Sequence, residues 1–347
     1  MDTTKLQQAA AQFGKGTPAL SQLGQGLIHQ TYKVSYPDGH AIILQSLNKN
    51  VFPHPEDIIS NYRQVYDFLE KQSGSMRVPA LVTTTDGKDF YTDATGHCWR
   101  ATQYIAGSFT PSLPENIGQV YDAAFCFASF TRALGGLRAE GLKTIIPGFH
   151  DLSLRYRQFE DAIKKAHINR LLKATHVISE LRDRTPLVQL YETMTAHPAD
   201  YPRRIMHHDA KTSNILFDDA TRTVVCPVDL DTVMPGYYIS DLGDMIRSMA
   251  CTEDENSTAW EHIAVNRAYY DALIKAYLDG MGDALTAAEK QHIHTPGQML
   301  TYMQCLRYTT DFLQDDVYYQ TSYPEQNLNR ALNQLILLER LEEIAAA

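Results

Sequence analysis

Cysteine is scarce in this sequence, and the five cysteines never form a C-x-x-C pair. Their odd number and wide spacing give no indication of a disulfide framework or of a zinc site. The chain also lacks any run of about 18 consecutive apolar residues, so no transmembrane helix is predicted. Its first residues show no basic stretch followed by an apolar one, as a secretory signal would. These absences predict a cytoplasmic protein whose thiols stay reduced.

Basic residues are also fewer than acidic residues in this sequence. There are 31 Lys and Arg residues against 41 Asp and Glu residues, which gives a formal net charge of −10. Such a balance offers no basic surface for nucleic acid or for an anionic membrane. With 347 residues, of which 44% are hydrophobic and 21% charged, the chain has the composition of a globular protein with two domains or two lobes. We expect small-molecule partners, with divalent metal ions wherever phosphates are handled.

The N-terminal part of the sequence alternates short apolar runs with turn signals. Pro37-Asp38-Gly39 separates two such runs, which predicts a β-hairpin over 31–47. A helix is predicted over 55–73, where apolar residues recur at helical spacing. Further strands are predicted over 78–84, 89–92 and 98–105. Residues 1–105 are therefore predicted to form an N-terminal lobe made of an antiparallel sheet and one helix.

Beyond residue 105 the spacing of apolar residues becomes mainly helical. A segment rich in Gly, Ser and Pro, 106–114, marks the lobe boundary. Long helices are predicted over 115–140, 151–183, 260–280, 298–319 and 325–345. The 298–319 segment is the most regular, with an apolar stripe from Met299 to Val317 that should face the core. The predicted fold class is α+β, with a larger, mainly helical C-terminal lobe over 106–347.

One segment of the C-terminal lobe breaks the helical pattern. Two short apolar runs, 215–217 and 224–228, flank a polar turn and predict a hairpin. Because antiparallel strands return the chain to its starting end, Asn214 before the first strand should lie close to Asp229 after the second. Amide and carboxylate oxygens are ligands that Mg²⁺ accepts alongside substrate phosphates. We therefore predict a magnesium site at Asn214 and Asp229.

Asp209 lies five residues before Asn214, on the loop that precedes this hairpin. An Asp and an Asn at this spacing, followed by a metal-binding Asp, are the parts of a phosphoryl-transfer centre of the kinase type. Asp209 is the predicted general base, which accepts the proton of an attacking hydroxyl, and His207 shapes the loop. A zinc site at His207 and His208 is not expected, because adjacent side chains diverge and no third soft ligand is evident.

An N-terminal turn and the strand after it are candidates for the nucleotide site. Gly24 and Gly26 could lay backbone N–H groups over phosphates, and a lone G-x-G is equally compatible with a plain hairpin turn. Protein kinases carry a Lys on the next strand, where this sequence has Gln45, so phosphate charge must be met largely by Mg²⁺. The candidate hinge that would meet adenine, or else a plain linker, consists of Gln103, Tyr104 and Ile105.

The motif His207-x-Asp209-x-x-x-x-Asn214, followed by Asp229, resembles the aminoglycoside phosphotransferase and choline kinase superfamily. The resemblance implies a protein-kinase-like fold with two lobes. It also implies ATP as the phosphoryl donor and Mg²⁺ as the cofactor, with Asp209 orienting the acceptor hydroxyl and with Asn214 and Asp229 holding the metal.

Three further segments narrow this resemblance. The stretches 228–236, 241–247 and 307–319 are similar to those of the N-acetylhexosamine 1-kinase family. That similarity implies the anomeric hydroxyl of N-acetylglucosamine or N-acetylgalactosamine as the acceptor, and a sugar 1-phosphate and ADP as the products. The implied substrate-binding residues are Asp209, Asp231, Arg307, His29 and Leu27, although the family commonly carries His at the position of Leu27.

Several alternatives stay open at this point. Another small alcohol, such as an aminoglycoside or choline, could be the acceptor, and a nucleotide-binding module without turnover belongs to a different class. Arg307 falls four residues before Asp311 and eight before Asp315, which permits surface ion pairing as well as contact with a substrate. Asp231 and Asp241 could bind sugar hydroxyls or support the residues that do. A monomer is expected.

Overall fold

The computed structural model describes residues 3–23, 28–72 and 76–346, and it divides the chain into two compact units. The first unit comprises Met1–Phe109, Gly136–Pro147 and Leu216–Met234. The second comprises Thr110–Gly135, Gly148–Ile215 and Pro235–Ala347. The first of these breaks falls after Phe109, whereas the sequence predicted a single boundary after residue 105. The sequence carries no signal for the two later segments that return to the first unit.

The strands occur mainly in the first unit. They are β1 (Ala19–Gln22), β2 (Gln30–Ser35), β3 (Ala41–Leu47), β4 (Leu81–Val82), β5 (Tyr91–Thr92), β6 (Cys98–Gln103), β7 (Ser108–Phe109), β8 (Arg204–Met206), β9 (Ile215–Asp218), β10 (Val224–Pro227) and β11 (Met234–Gly236). The main sheet is antiparallel in the order β1-β2-β3-β6-β4, and β5 pairs with β6. A smaller sheet has the order β10-β9-β7, which confirms the second predicted hairpin.

The predicted hairpin at Pro37-Asp38-Gly39 joins β2 to β3. Its turn closes through hydrogen bonds from the backbone N–H of His40 to an Asp38 side-chain oxygen (3.0 Å) and from Tyr36 N–H to the His40 carbonyl (2.8 Å). Gly39 takes a φ of 87°, a left-handed conformation that costs glycine little. The strand expected over 78–84 is shorter than predicted. Strand β4 comprises Leu81–Val82 and pairs with β6 at the edge of the sheet.

The helices are distributed over both units. They are α1 (Thr3–Ala10), α2 (Pro55–Lys71), α3 (Ile117–Ala133), α4 (Leu152–Lys165), α5 (Ile168–Asp183), α6 (Thr185–Ala196), α7 (Ile239–Met249), α8 (Arg267–Met281), α9 (Ala287–Gln291), α10 (Thr295–Leu313) and α11 (Gln326–Ala346). Among the helices described, none combines the length and the apolar character needed to cross a membrane. All five cysteines are free thiols.

Helix α1, which the sequence did not predict, covers one face of the main sheet. Leu6, Ala9 and Ala10 are buried in one apolar cluster with residues of β2, β3 and β6, including Trp99. The Tyr36 hydroxyl donates to the Ala10 carbonyl at 2.7 Å and ties the helix to the sheet. Eight residues are too few for an apolar repeat to stand out in the sequence, so this helix depends on its tertiary contacts.

Helix α10 is the central element of the second unit and packs against α4, α5, α7 and α11. Its approach to α7 is close at two glycines: a Cβ on Gly243 would lie 2.5 Å from the Pro296 carbonyl, and one on Gly297 would lie 2.6 Å from Ile246. The prediction that this helix continues to residue 319 was wrong. The helix ends at Leu313, and Val317, expected to face the core, is 75% exposed.

The segment predicted as one helix over 151–183 is two helices. Helix α4 ends at Lys165, and α5 begins at Ile168 after two residues of extended backbone. Apolar residues keep a helical spacing across this break, so the pattern alone does not reveal it. In contrast, Asn266 marks the start of α8 by accepting a hydrogen bond from the Tyr269 N–H at 3.2 Å, so the expected helix over 260–280 begins later than predicted.

Candidate active site

The loop that follows β8 carries His207, His208 and Asp209 and belongs to the second unit. Its backbone is held by one buried carboxylate, that of Asp241 on the first turn of α7. The N–H of His207 donates to Asp241 Oδ2 at 2.9 Å, and the N–H of His208 donates to Oδ1 at 2.7 Å. Burial raises the pKa of Asp241, which the charge of His207 and the two backbone donors oppose. The geometry favours a supporting role for Asp241.

The two histidines of the loop have separate environments. The ring of His207 is fully buried, with its centroid 5.0 Å from that of Phe127 and 6.1 Å from that of Phe130. His208 takes a φ of 66°, and its ring lies over Gly236, where a Cβ would come within 2.4 Å. The shape of the loop is therefore set by ring packing and by Asp241.

Asp209 and Asn214, predicted from their spacing, lie together in the second unit. The Asn214 side-chain NH₂ donates both to Asp209 Oδ2, at 2.8 Å, and to the Asp209 carbonyl, at 2.9 Å. Lys211 Nζ lies 2.9 Å from the same carboxylate oxygen. Because Asn214 uses its NH₂ group for Asp209, its side-chain oxygen is turned away and can act as a ligand. Asn214 and Lys211 both donate to Oδ2 of Asp209, so neither of these two donors occupies Oδ1.

Asp229 follows β10 in the first unit and is exposed. It has a left-handed backbone, with φ 60° and ψ 58°, and begins a single 3-10 turn from Leu230 to Thr232. A non-glycine residue in this conformation is strained, and such strain is concentrated at functional sites. On the other side of the turn, the buried side chain of Asn61 donates to the Val233 carbonyl at 2.9 Å. This hydrogen bond fixes Val233, the residue that follows the 3-10 turn.

The oxygen donors of Asn214 and Asp229 have the chemistry that Mg²⁺ requires. In the part of the chain that the structure describes, no three His, Cys, Asp or Glu side chains cluster as a metal site. Mg²⁺ does not need such a cluster, because it is usually held by one or two protein ligands, several waters and substrate phosphates. Taken separately, the Asn214 amide oxygen and the Asp229 carboxylate are each ligands of the type that such an ion accepts.

A buried polar network lies within the first unit and includes three predicted site residues. Arg100 on β6 donates from Nη1 to Asp231 Oδ1 and from Nη2 to Gln45 Oε1, each at 2.5 Å. His29 Nε2 lies 2.7 Å from Asp231 Oδ2. Burial acts to raise the pKa of Asp231, but Arg100 and His29 together lower this pKa well below its usual range. Both oxygens of Asp231 are engaged, which favours support over direct sugar contact.

Arg307 projects from α10 into a cluster of aromatic rings in the second unit. Its guanidinium carbon is 5.4 Å from the ring centre of Phe149, 5.5 Å from that of Tyr319 and 5.8 Å from that of Tyr318. The Phe149 ring is also 6.3 Å from the ring of His208. One layer of rings therefore separates Arg307 from the residue next to Asp209.

The ion pairing of Arg307 that the sequence left open is absent from the described residues. Asp311 is buried and accepts hydrogen bonds from the N–H groups of Tyr318 (2.7 Å) and Tyr319 (2.9 Å). Asp315 lies 3.0 Å from Arg170. Asp311 thereby holds the loop after α10 so that its two tyrosines face Arg307, while Arg307 itself donates to Gln304 at 3.1 Å.

The surroundings of Arg307 are positively charged. Burial and the charge of Arg307 together lower the pKa of Arg155, whose guanidinium donates to the Phe149 carbonyl and to Gln158. Burial, with the nearby charges of His208 and Arg307, lowers the pKa of His150 well below its ordinary value. Arg307 and Arg155 have no carboxylate partner among the residues that the structure describes. The ring cluster is therefore a cationic environment.

The predicted hinge lies at the end of β6. The N–H of Gln103 donates to the Ala80 carbonyl at 2.8 Å, and the Ile105 carbonyl accepts from the Ser108 hydroxyl at 2.7 Å. The ring of Tyr104 is covered by Lys33 Nζ at 4.0 Å. The other predicted nucleotide and sugar contacts in the N-terminal turn, Gly24, Gly26 and Leu27, lie outside the described residues.

Sequence reasoning missed Arg100, Lys211 and the ring cluster around Arg307. Arg100 did leave a signal, because an arginine inside a strand of Cys, Trp, Ala and Thr must find a buried partner. Phe149 and Tyr319 left none, because they are far apart in the chain and meet only through the fold.

The loop of Asp209, on an α+β fold with an antiparallel sheet and a helical second unit, defines a phosphotransferase of the protein-kinase-like class. Residues 19–287, more than half of the chain, match the model of the phosphotransferase enzyme family APH. The chain belongs to this family. The superfamily and the fold class predicted from the sequence are thereby confirmed.

Solved structures with the same fold are distant in sequence. A microcompartment-associated aminopropanol kinase matches with a TM-score of 0.65 at 16% identity, over 99% of this chain and 98% of its own. An aminoglycoside phosphotransferase from Alicyclobacillus acidocaldarius matches with a TM-score of 0.63 at 15% identity, over 98% and 96%. An amicoumacin kinase in complex with AMP-PNP and Ca²⁺ matches with a TM-score of 0.61 at 13% identity, over 97% and 93%.

Proposed function

We propose that this phosphotransferase is an ATP-dependent kinase of a small alcohol, and that its acceptor is the anomeric hydroxyl of an N-acetylhexosamine. The products are then a sugar 1-phosphate and ADP. The observation that supports catalysis most strongly is the arrangement at Asp209, where Asn214 and Lys211 both donate to one carboxylate oxygen. We propose that this arrangement leaves the other oxygen of the carboxylate to face a substrate hydroxyl.

In the proposed reaction the acceptor oxygen attacks the γ-phosphorus of ATP. A bond forms between these two atoms, the bond from the γ-phosphorus to the β,γ-bridging oxygen breaks, and ADP leaves. The proton of the acceptor hydroxyl passes to Asp209 Oδ1. Asp241 fixes the backbone on which Asp209 is carried. Phosphoryl transfer needs such positioning more than covalent chemistry, because the transition state is loose.

Asn214 and Asp229 are the proposed protein ligands of Mg²⁺. When bound, the ion supplies neutralisation of phosphate charge and holds the donor in line with the acceptor. Asn214 serves through its side-chain oxygen, since its NH₂ group is engaged with Asp209. AMP-PNP and Ca²⁺ in the amicoumacin kinase complex support a nucleotide with a divalent metal in this fold.

ATP is proposed to bind the first unit. The N-terminal turn with Gly24 and Gly26 would contact its phosphates, and the end of β6 would meet adenine. Since the Ile105 carbonyl is already bonded to Ser108, the backbone N–H of Ile105 is the group we assign to adenine. Gln45 is proposed to act on the nucleotide site indirectly, because its side-chain oxygen accepts a hydrogen bond from Arg100.

The charge around Arg307 favours a neutral acceptor. Aminoglycosides and choline are cations, and placing a cation beside Arg307 and Arg155 costs energy, up to several kcal/mol for like charges at an interface. A neutral N-acetylhexosamine instead offers hydroxyl and acetamide oxygens to the Arg307 donors. Phe149 and Tyr319 would pack against the apolar face of the sugar. We keep Leu27 as a further sugar contact within this proposal. His29, whose two ring nitrogens face Asn48 and Asp231, is assigned with Asp231 to support rather than to direct sugar contact.

A panel of acceptors tests this proposal. ADP release would be measured with N-acetylglucosamine, N-acetylgalactosamine, choline, aminopropanol and an aminoglycoside, each with ATP and Mg²⁺. We expect turnover with at least one N-acetylhexosamine and little with the cations. Faster turnover of a cationic acceptor would overturn the sugar assignment, and a lack of turnover on every acceptor would favour a nucleotide-binding module.

We also propose that the enzyme acts as a cytoplasmic monomer on small molecules alone. Its net charge of −10 gives no basic surface for nucleic acid or membrane lipids. Light scattering coupled to size-exclusion chromatography is expected to give a mass near 39.1 kDa. A mass near twice this value would contradict the monomer.

A further inference from the structure

The buried network around Arg100 occupies the place where protein kinases use a lysine. Those enzymes pair a Lys on the strand after the Gly-rich turn with a Glu on the following helix. Here that strand, β3, carries Gln45, and its direct partner in the β3–β6 register is Arg100. The following helix, α2, presents Asn61 and Tyr62 to the interior in place of an acid. In this protein the buried cation is therefore Arg100, on the neighbouring strand, and its counter-ion is Asp231.

Arg100 cannot serve as a phosphate ligand in this position. Its side chain is 2% exposed, and its terminal nitrogens are engaged with Asp231 and Gln45. The Tyr62 ring lies 5.6 Å from the guanidinium carbon and closes a further side. Arg100 thus acts on other residues of the chain and does not contact the nucleotide.

Asp231 connects this network to the proposed metal ligand. It lies two residues after Asp229, within the 3-10 turn that Asp229 begins. Arg100 holds one oxygen of Asp231, and His29 Nε2 lies 2.7 Å from the other. The Asn48 N–H donates to His29 Nδ1 at 3.0 Å, so Nδ1 is an acceptor and Nε2 is the nitrogen that faces Asp231.

We infer that Arg100 is a positioning residue: with His29 it locks Asp231, and through the turn it sets the direction in which the Asp229 carboxylate points. This inference rests on the proposed role of Asp229 as a metal ligand. Net stability does not explain the network, because a buried ion pair is often no more stabilising than apolar residues of similar size. His29 lies directly before β2, so the same contacts join the start of this strand to the segment of Asp229.

The test measures metal affinity without turnover. Mn²⁺ would be titrated in the presence of AMP-PNP and followed by electron paramagnetic resonance, and thermal unfolding would be recorded for each variant. The main variant is Arg100→Met with Asp231→Leu, which leaves no unpaired charge in the interior. We expect its unfolding temperature to stay near that of the wild type while its Mn²⁺ affinity falls about 10- to 100-fold, as on loss of the groups that orient a metal ligand.

Arg100→Lys is the second variant. It keeps the charge but loses the planar fork that reaches both Asp231 and Gln45, so we expect a several-fold weaker Mn²⁺ affinity in a folded protein. The matched control is Arg184→Met with Glu342→Leu, a partly buried pair within the second unit, joined by hydrogen bonds of 2.8 and 2.9 Å. The control should keep wild-type Mn²⁺ affinity. Wild-type affinity in the double variant or in Arg100→Lys would overturn the inference.

Asp229→Asn separates this inference from the proposed function. If Asp229→Asn weakens Mn²⁺ binding while the Arg100 variants do not, only the positioning role of Arg100 fails. Unchanged Mn²⁺ affinity in Asp229→Asn would overturn the metal assignment itself, and the inference with it.

Discussion

Asp209 and Asp231 are both paired with cations, but their surroundings differ. The Asp209 side chain is 31% exposed, and its partner Lys211 is 37% exposed. The Asp231 side chain is 4% exposed, and its partner Arg100 is 2% exposed. Asp209 has one oxygen that takes two donors, whereas both oxygens of Asp231 are engaged. Accessibility and the number of donors therefore distinguish a carboxylate that can receive a substrate proton from one that holds the backbone.

The loop of Asp209 and the turn of Asp229 are stabilised in different ways. In the second unit the loop of Asp209 is fixed through its backbone, by Asp241 and by packed rings, and the Asp209 side chain stays partly exposed. In the first unit the turn of Asp229 is fixed through the buried side chains of Asp231 and Asn61. Asp209, the proposed base, and Asp229, the proposed metal ligand, are thus each positioned by residues whose side chains serve the structure.

The largest expected effect comes from Asp209→Asn. The amide cannot accept the acceptor proton, so kcat should fall by roughly 100- to 10,000-fold. An Asn oxygen can still accept from Asn214 and Lys211, so the unfolding temperature should change little. Steady-state ADP release measures kcat, and Asp219→Asn, an exposed acid on the β9–β10 turn, is the matched control. Near-full activity of Asp209→Asn would refute its role as the base.

Asp241→Asn is expected to have the next largest effect. One acceptor oxygen is replaced by an NH₂ group that faces a backbone N–H, so either His207 or His208 loses its partner. A displaced loop should lower kcat by about 100-fold, and the lost buried hydrogen bond should cost about 1–3 kcal/mol. Kinetics and urea unfolding would be measured together. Unchanged kcat with lower stability would show that the loop geometry does not depend on Asp241.

Arg307→Met tests the proposed contact between Arg307 and the acceptor. Loss of a charged donor that the substrate uses should raise KM for the acceptor about 10-fold, while KM for ATP stays constant. The Met side chain keeps apolar contact with Phe149 and Tyr319, which limits the loss of stability. Arg170→Met, whose partners Asp315 and Asp316 follow the same helix, is the control. An equal rise in both KM values would contradict acceptor binding by Arg307.

The smallest expected effect is a pH dependence of stability. Arg100 and His29 hold the pKa of Asp231 below its value in the unfolded chain, where it is about 3.9. The stabilisation is therefore present above that unfolded pKa and is lost as pH falls through the folded pKa. The free energy of unfolding of the wild type, minus that of Asp231→Asn, should stay constant from neutral pH down to about 4 and shrink below. A difference that grows on acidification would contradict the ion pair.

The sequence predicted those parts of the fold that depend on local patterns. The β2–β3 hairpin and helix α2 followed from turn residues and from apolar spacing, and Asp209 and Asn214 followed from spacing on one loop. The end of α10 did not, because Asp315 and Asp316 take positive φ values that no propensity favours strongly. Arg100 and Asp231 are 131 residues apart, and such a pair is set by tertiary packing alone.

The atom that receives the phosphate is the most direct test of the proposed function. The enzyme, ATP and Mg²⁺ would be incubated with N-acetylglucosamine or N-acetylgalactosamine, and the product would be examined by phosphorus and proton NMR. We predict a phosphate on the anomeric carbon, visible as coupling between phosphorus and the anomeric proton. Phosphate on any other hydroxyl, or no phosphorylated product from either sugar, would contradict the account.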